Sequence, residues 1–121
     1  MAADAPAGSS LDIVAVVNEE AITTRDLNER VKFVISTSGL SSSEETVARL
    51  KPQLLRKLID ERLQLQAAAA EGVKIPSDQI QAAILDIEEK RGMPKGAIKE
   101  KLRGDGVAYD TFEAQIRAQM A

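Results

Sequence analysis

The feature that most limits what this chain can fold into is one amphipathic segment, Glu44 to Ala70. Val47, Leu50, Leu54, Leu58 and Leu65 recur along one stripe, and Leu55, Ile59 and Leu63 widen it. That spacing predicts a helix, a rod of roughly 40 Å at 1.5 Å per residue. A rod with so broad an apolar flank needs other helices laid along it. Pro52 falls inside the segment, where it removes a backbone donor and costs ~3 kcal/mol. Two readings follow: the rod kinks at Pro52, or the main helix starts near Lys51 and the preceding turn is separate.

The rest of the chain supplies the covering elements. Ile13-Val14-Ala15-Val16-Val17 is a β-branched run suited to a strand. Asn18-Glu19-Glu20 can turn it, and Ala21-Ile22-Thr23 can return as a second strand. Thr23 or Thr24 offers an N-cap, with Asp26 near the positive helix end. Leu27, Val31, Val34, Ile35 and Ser38 then follow at one-face spacing up to Gly39. After the rod, Gly72 can adopt the left-handed conformation that ends a helix. Ser77 is expected to cap a third helix to about Arg91, with Ile80, Ala83, Ile84 and Ile87 on its apolar face. Pro94 is expected to open a fourth, with Ile98 and Leu102, broken at Gly104-Asp105-Gly106. Asp110 with Glu113 reads as a capping box for a fifth helix carrying Phe112, Ile116 and Met120. The expected fold is mainly α: a short N-terminal β-hairpin followed by about five helices, one of them long and central. Residues 1–10 read as a flexible tail and 11–121 as one module. The fifth helix is still in stride at Ala121, which leads us to expect a longer natural unit.

Composition narrows function mostly by exclusion. There is no His, the commonest general base and metal ligand, and no Cys, so thiol nucleophiles and thiolate zinc sites are gone. The absence of Cys suits either redox compartment. Sixteen basic and 19 acidic residues give a net charge of −3, no footprint for nucleic acid. One Tyr, two Phe and no Trp offer no base-stacking platform. No apolar run reaches the ~18–20 residues of a membrane span. The carboxylate pairs Glu44-Glu45, Asp60-Glu61 and Glu88-Glu89 read as solvated helix faces, since adjacent helical positions point about 100° apart. Glu19-Glu20 reads as turn polarity. Lys95, Lys99, Lys101 and Arg103 read as a solvated face balanced by Glu100 and Asp105. No catalytic residue, metal or cofactor is expected.

Four stretches, in this order, resemble the N-terminal module of the SurA family of periplasmic chaperones. They are Ile13 to Asn18 leading into a capped helix, Leu58-Ile59-Asp60-Glu61-Arg62-Leu63-Gln64-Leu65-Gln66, and Glu71 to Ile80 across the Gly-Pro break. The last is Leu102 to Phe112 running into Gln115-Ile116-Arg117. PpiD, PrsA and trigger factor carry related modules. The resemblance implies a bacterial periplasmic protein that holds unfolded outer-membrane barrel precursors without ATP. In that family, parvulin-type isomerase domains follow and a late C-terminal helix packs back on the module. Neither lies in this sequence, so isomerase activity is not carried over and an apolar surface is expected to stand uncovered. A second copy, an exchanged terminal segment or a client peptide would fill it.

The expected activity is therefore client holding through an apolar groove, the alternative being a dimerisation or scaffolding domain with no client. Leu27, Val31, Val34, Leu54, Leu58, Ile84, Ile87, Phe112, Ile116 and Met120 are the expected peptide-binding residues. Unfolded outer-membrane protein segments are the expected partner, with no nucleic acid and no membrane span.

Overall fold

The computed structural model describes residues 12–121; the expected tail at 1–10, and Leu11, lie outside the described residues. Strands β1 (Ile13–Val17) and β2 (Glu20–Thr23) form an antiparallel hairpin, followed by α1 (Thr24–Ser38), α2 (Glu44–Ala70), α3 (Ser77–Lys90), α4 (Ala97–Gly104) and α5 (Tyr109–Met120). The mainly α fold with a hairpin and one long helix is as expected.

The hairpin turn is tighter than expected. Glu20 pairs with Val17, leaving Asn18 and Glu19 as a two-residue loop. Asn18 takes a positive φ of 58°, which Asn tolerates better than other side-chain-bearing residues. A register irregularity between Ile13 and Ala15 breaks the alternation of β1. Ala15 and Val17 face inward, while Val14 and Val16, and out of phase Ile13, face water.

Helix α1 begins with a capping box. The Asp26 backbone donates to Thr23 Oγ1 (3.2 Å) and the Thr23 backbone donates to Asp26 Oδ2 (2.9 Å). Helix α2 runs unbroken from Glu44 to Ala70 with Pro52 inside it, so the late start at Lys51 is not realised. Pro52 and Ala48 both face solvent, where water can serve the Ala48 carbonyl that Pro52 leaves without a donor. The helix ends as expected at Gly72, φ 76°, with Gly72 N donating to Ala69 O (3.0 Å) and Val73 N to Ala68 O (2.8 Å).

Three expected helix starts are corrected. Pro76, not Ser77, is the N-cap of α3, and Ser77 is its first residue. Helix α4 begins at Ala97 rather than at Pro94, because Gly96 turns the chain with φ 85° and a remote carboxylate caps it, described below. The Asp110–Glu113 box does not form: Ala108 is the N-cap of α5, its N–H donates to Glu29 Oε1 (2.9 Å), and Glu113 accepts from Gln81 (2.6 Å).

Two buried clusters result. The hairpin-side cluster joins Val17, Ile22, Leu27, Val31, Leu54 and Leu58, with Val47, Leu50, Leu55 and Ile59 packed at its border. The helical-side cluster joins Phe33, Ile80, Ile84, Leu102, Val107, Phe112 and Ile116. Helix α1 supplies both: Leu27 and Val31 point one way, Phe33 the other, and Val34 touches both clusters.

Candidate functional site

Seven of the ten expected peptide-binding residues are buried. Leu27, Val31, Leu54 and Leu58 belong to the hairpin-side cluster; Ile84, Phe112 and Ile116 belong to the helical-side one. Val34 and Ile87 are half-buried, and only Met120, 40% exposed, stands in water. Nine of the ten are therefore distributed over the two clusters or packed against them, and Met120 belongs to neither. What the sequence reading overlooked is the outward face of the hairpin. Ile13 and Val16 are 61% and 63% exposed, and Val14 lies between them in sequence. Strand alternation marks Val14 and Val16 as outward, but nothing in the sequence marks the irregularity that turns Ile13 out.

The solvated reading of the paired carboxylates fails for two of them. Glu61 is buried and receives a two-pronged ion pair from Arg30, whose Nη2 and Nη1 donate at 2.7 and 2.8 Å. Arg30 is only 2% exposed. Glu88 is likewise 2% exposed and accepts from Gly96 N (3.1 Å) and Ile98 N (3.0 Å), capping α4 from α3. Both carboxylates hold helices together: Glu61 is occupied by the Arg30 guanidinium and Glu88 by two backbone amides. Among the described residues no group of His, Cys, Asp and Glu is arranged to hold a metal ion.

Clefts open on the surface among the described residues, and three of them bear on the expected residues. One of ≈310 Å³ between α1, α2 and α5 is mostly charged: Arg25, Asp26, Arg30, Glu61 and Asp110 line it beside Leu58. On its border Arg62 reaches Glu20 (3.3 Å) and the Ala21 carbonyl (3.3 Å), fastening α2 to β2. A second, ≈520 Å³, lies between α1 and the start of α2, with Val31, Ile35 and Val47 in it. The third, ≈390 Å³, is bounded by α1, α3, α4 and α5. Its apolar surface comes from Phe33, Ile87, Met93, Ile98, Phe112 and Ile116, so three expected residues (Ile87, Phe112, Ile116) do meet in one cleft. The Phe33 and Phe112 rings stack at 5.4 Å, and Tyr109 tilts against Phe112 at 6.1 Å.

The basic cluster on α4 is largely balanced, as expected. Lys101 pairs with Asp105 (3.2 Å), Arg103 lies 3.9 Å from Glu100, and Lys99 sits over the Tyr109 ring at 5.3 Å. The Asp105 carboxyl is held below the usual aspartate range by the Ser36 hydroxyl and then by Lys101. Burial pushes the Tyr109 phenol up, and Glu113 adds to that. Among the described residues, no helix is long and apolar enough to cross a membrane.

Comparison with known proteins agrees with this architecture. Residues 11–121 match the model of the SurA N-terminal domain. The chain is 32% identical over 111 residues to Chaperone SurA of Methylobacillus flagellatus, covering 89% of this chain and 25% of that protein. It is 30% identical over 118 residues to Chaperone SurA of Burkholderia thailandensis (93% and 26%). With Chaperone SurA of Polaromonas sp. it shares 29% over 113 residues (89% and 23%). The chain thus spans about a quarter of the length of these relatives.

Proposed function

This chain belongs to the SurA N-terminal domain family, and from that membership we propose that it is the client-holding module of a chaperone in the bacterial periplasm. In this reading it binds unfolded outer-membrane protein precursors without ATP and performs no catalysis itself. The observation that carries the proposal is the outward apolar face of the hairpin. Ile13, Val14 and Val16 project from a sheet of only two strands, with one edge of β1 unpaired among the described residues. Barrel precursors are written as strands that alternate apolar and polar residues. Such a strand can lie along β1 with main-chain hydrogen bonds supplying sequence-independent affinity and its apolar side resting on Val16. Of the ten expected residues, Leu27, Val31, Leu54 and Leu58 act beneath this surface by fixing the hairpin against α1 and α2. Ile87, Phe112 and Ile116 meet the client at the helical-side cleft.

The test is suppression of aggregation. The chain should keep a denatured barrel protein soluble at modest molar excess. The double substitution Val14→Asp and Val16→Asp should remove that effect while the melting temperature stays within a few degrees. A wild-type chain that leaves aggregation unchanged overturns the proposal. A structural domain that pairs with a second copy through the same strand edge is the second reading. Sedimentation showing a dimer that Val16→Asp dissociates, with no holding activity, is its signature.

A further inference from the structure

The cleft between α1, α3, α4 and α5 carries three observations that the holding of alternating strands does not use. It is apolar within, its ≈390 Å³ falls in the size range of side-chain and small-ligand pockets, and two stacked phenylalanines form part of its wall. Gln115 lines it, and the Gln115 Oε1 atom is buried with no hydrogen-bond partner among the described residues. A buried acceptor without a donor costs free energy in the unliganded protein and is repaired by an incoming N–H. Residues 90–103 hold six basic side chains (Lys90, Arg91, Lys95, Lys99, Lys101, Arg103), three of them already paired: Lys90 with Asp86 (3.0 Å), Lys101 with Asp105 (3.2 Å) and Arg103 beside Glu100 (3.9 Å). Of these, Arg91 and Lys101 line the cleft itself. Lys101 leans on Asp105, but Arg91 makes no ion pair among the described residues.

We propose that this cleft is a charge-selective pocket for one large apolar side chain of an extended segment that carries acidic residues beside it. The side chain enters against Phe33 and Phe112, a main-chain N–H of the segment donates to Gln115 Oε1, and a flanking carboxylate pairs with Arg91. The proposal rests on the client-holding reading but adds what that reading lacks, a preference among clients set by charge.

Two fluorescein-labelled peptides test it, identical in a central Phe and differing only in flanking residues, Asp in one and Lys in the other. The wild-type chain should bind the Asp-flanked peptide at least tenfold more tightly at low salt, and the gap should shrink severalfold in 0.5 M NaCl. Arg91→Glu, at an exposed position, should abolish or reverse the preference without moving the melting temperature. Gln115→Met should weaken the Asp-flanked peptide severalfold while raising the melting temperature, because it removes the unpaired acceptor. A purely structural role for Gln115 would lower both or neither. Equal binding of the two peptides, or a preference that survives Arg91→Glu, overturns the pocket. If the preference fails while aggregation is still suppressed, the client-holding reading stands and only the pocket falls. If the peptides discriminate as expected but aggregation is not suppressed, the pocket stands and the holding reading falls.

Discussion

The two cores of this chain bury similar numbers of residues but are closed in different ways. The hairpin-side cluster is wholly aliphatic and joins residues as far apart as Val17 and Leu58. Beside it lies the Arg30–Glu61 pair, which ties α1 to α2 where the charged cleft opens. Except for Phe33, the helical-side cluster is assembled from the contiguous stretch Ile80 to Ile116 and contains stacked rings. Its shortest helix is capped by a buried carboxylate eight to ten residues upstream. The contrast teaches that buried charge here does two distinct jobs. In one core it locks elements remote in sequence, and in the other it terminates a helix too short to persist alone.

Removing one partner of the buried pair should give the largest effect. Arg30→Met leaves Glu61 charged without its partner and should lower unfolding free energy by ~3–5 kcal/mol, read by urea denaturation. Adding Glu61→Leu should restore most of the loss, because the double replacement leaves no orphan charge. If the single variant is as stable as the parent, the lock is not what separates the two cores.

Truncation within each cluster comes next. Leu54→Ala on the hairpin side and Ile84→Ala on the helical side should each cost ~2–5 kcal/mol. Coincident loss of secondary structure and of Tyr109 fluorescence in both variants would show one cooperative unit. Separated transitions would show that the clusters unfold independently.

Glu88→Ala should cost ~1–3 kcal/mol, since it orphans the Gly96 and Ile98 amides. Hydrogen exchange should accelerate at α4 while the hairpin amides keep their protection. Equal acceleration in both places would mean that the cap is not local to the helical-side cluster.

The smallest effect concerns the tie between α1 and the end of α4. The Asp105 carboxyl, lowered by Ser36 and Lys101, contributes stability above the ordinary aspartate range and loses it as pH falls through its lowered value. Ser36→Ala should flatten that acid dependence slightly, as seen in melting temperatures between pH 5 and pH 2. An unchanged profile would remove Asp105 from the account.

Local signals in the sequence were sufficient wherever the physics was local. The capping box at Thr23, the left-handed stop at Gly72 and the i,i+4 pair Asp86–Lys90 (3.0 Å) all depend on residues within one helical turn or its end. The faces of α3 and α5 were readable for the same reason, with Ile80, Ile84, Phe112 and Ile116 all buried. What escaped detection has a partner far along the chain. Arg30 and Glu61 stand 31 residues apart, and periodicity treats each as one more charge on a helix. Phe33 falls off the Leu27–Val31 stripe because it belongs to a different core. Glu29, which replaces a local cap at α5, is 79 residues from the Ala108 amide it accepts. The candidate site was less legible than the fold. A stripe of Leu and Ile reads the same whether another helix or a client will cover it, so the ten expected residues named the packing more than the surface. The outward turn of Ile13 and the unpaired oxygen of Gln115 emerged only once the elements were placed.

Among the described residues, α1 alone lends side chains to both clusters, with Val34 touching each. It is a party wall. A guest pressing on Phe33 from one side bears on the same helix that carries Leu27 and Val31 into the other room.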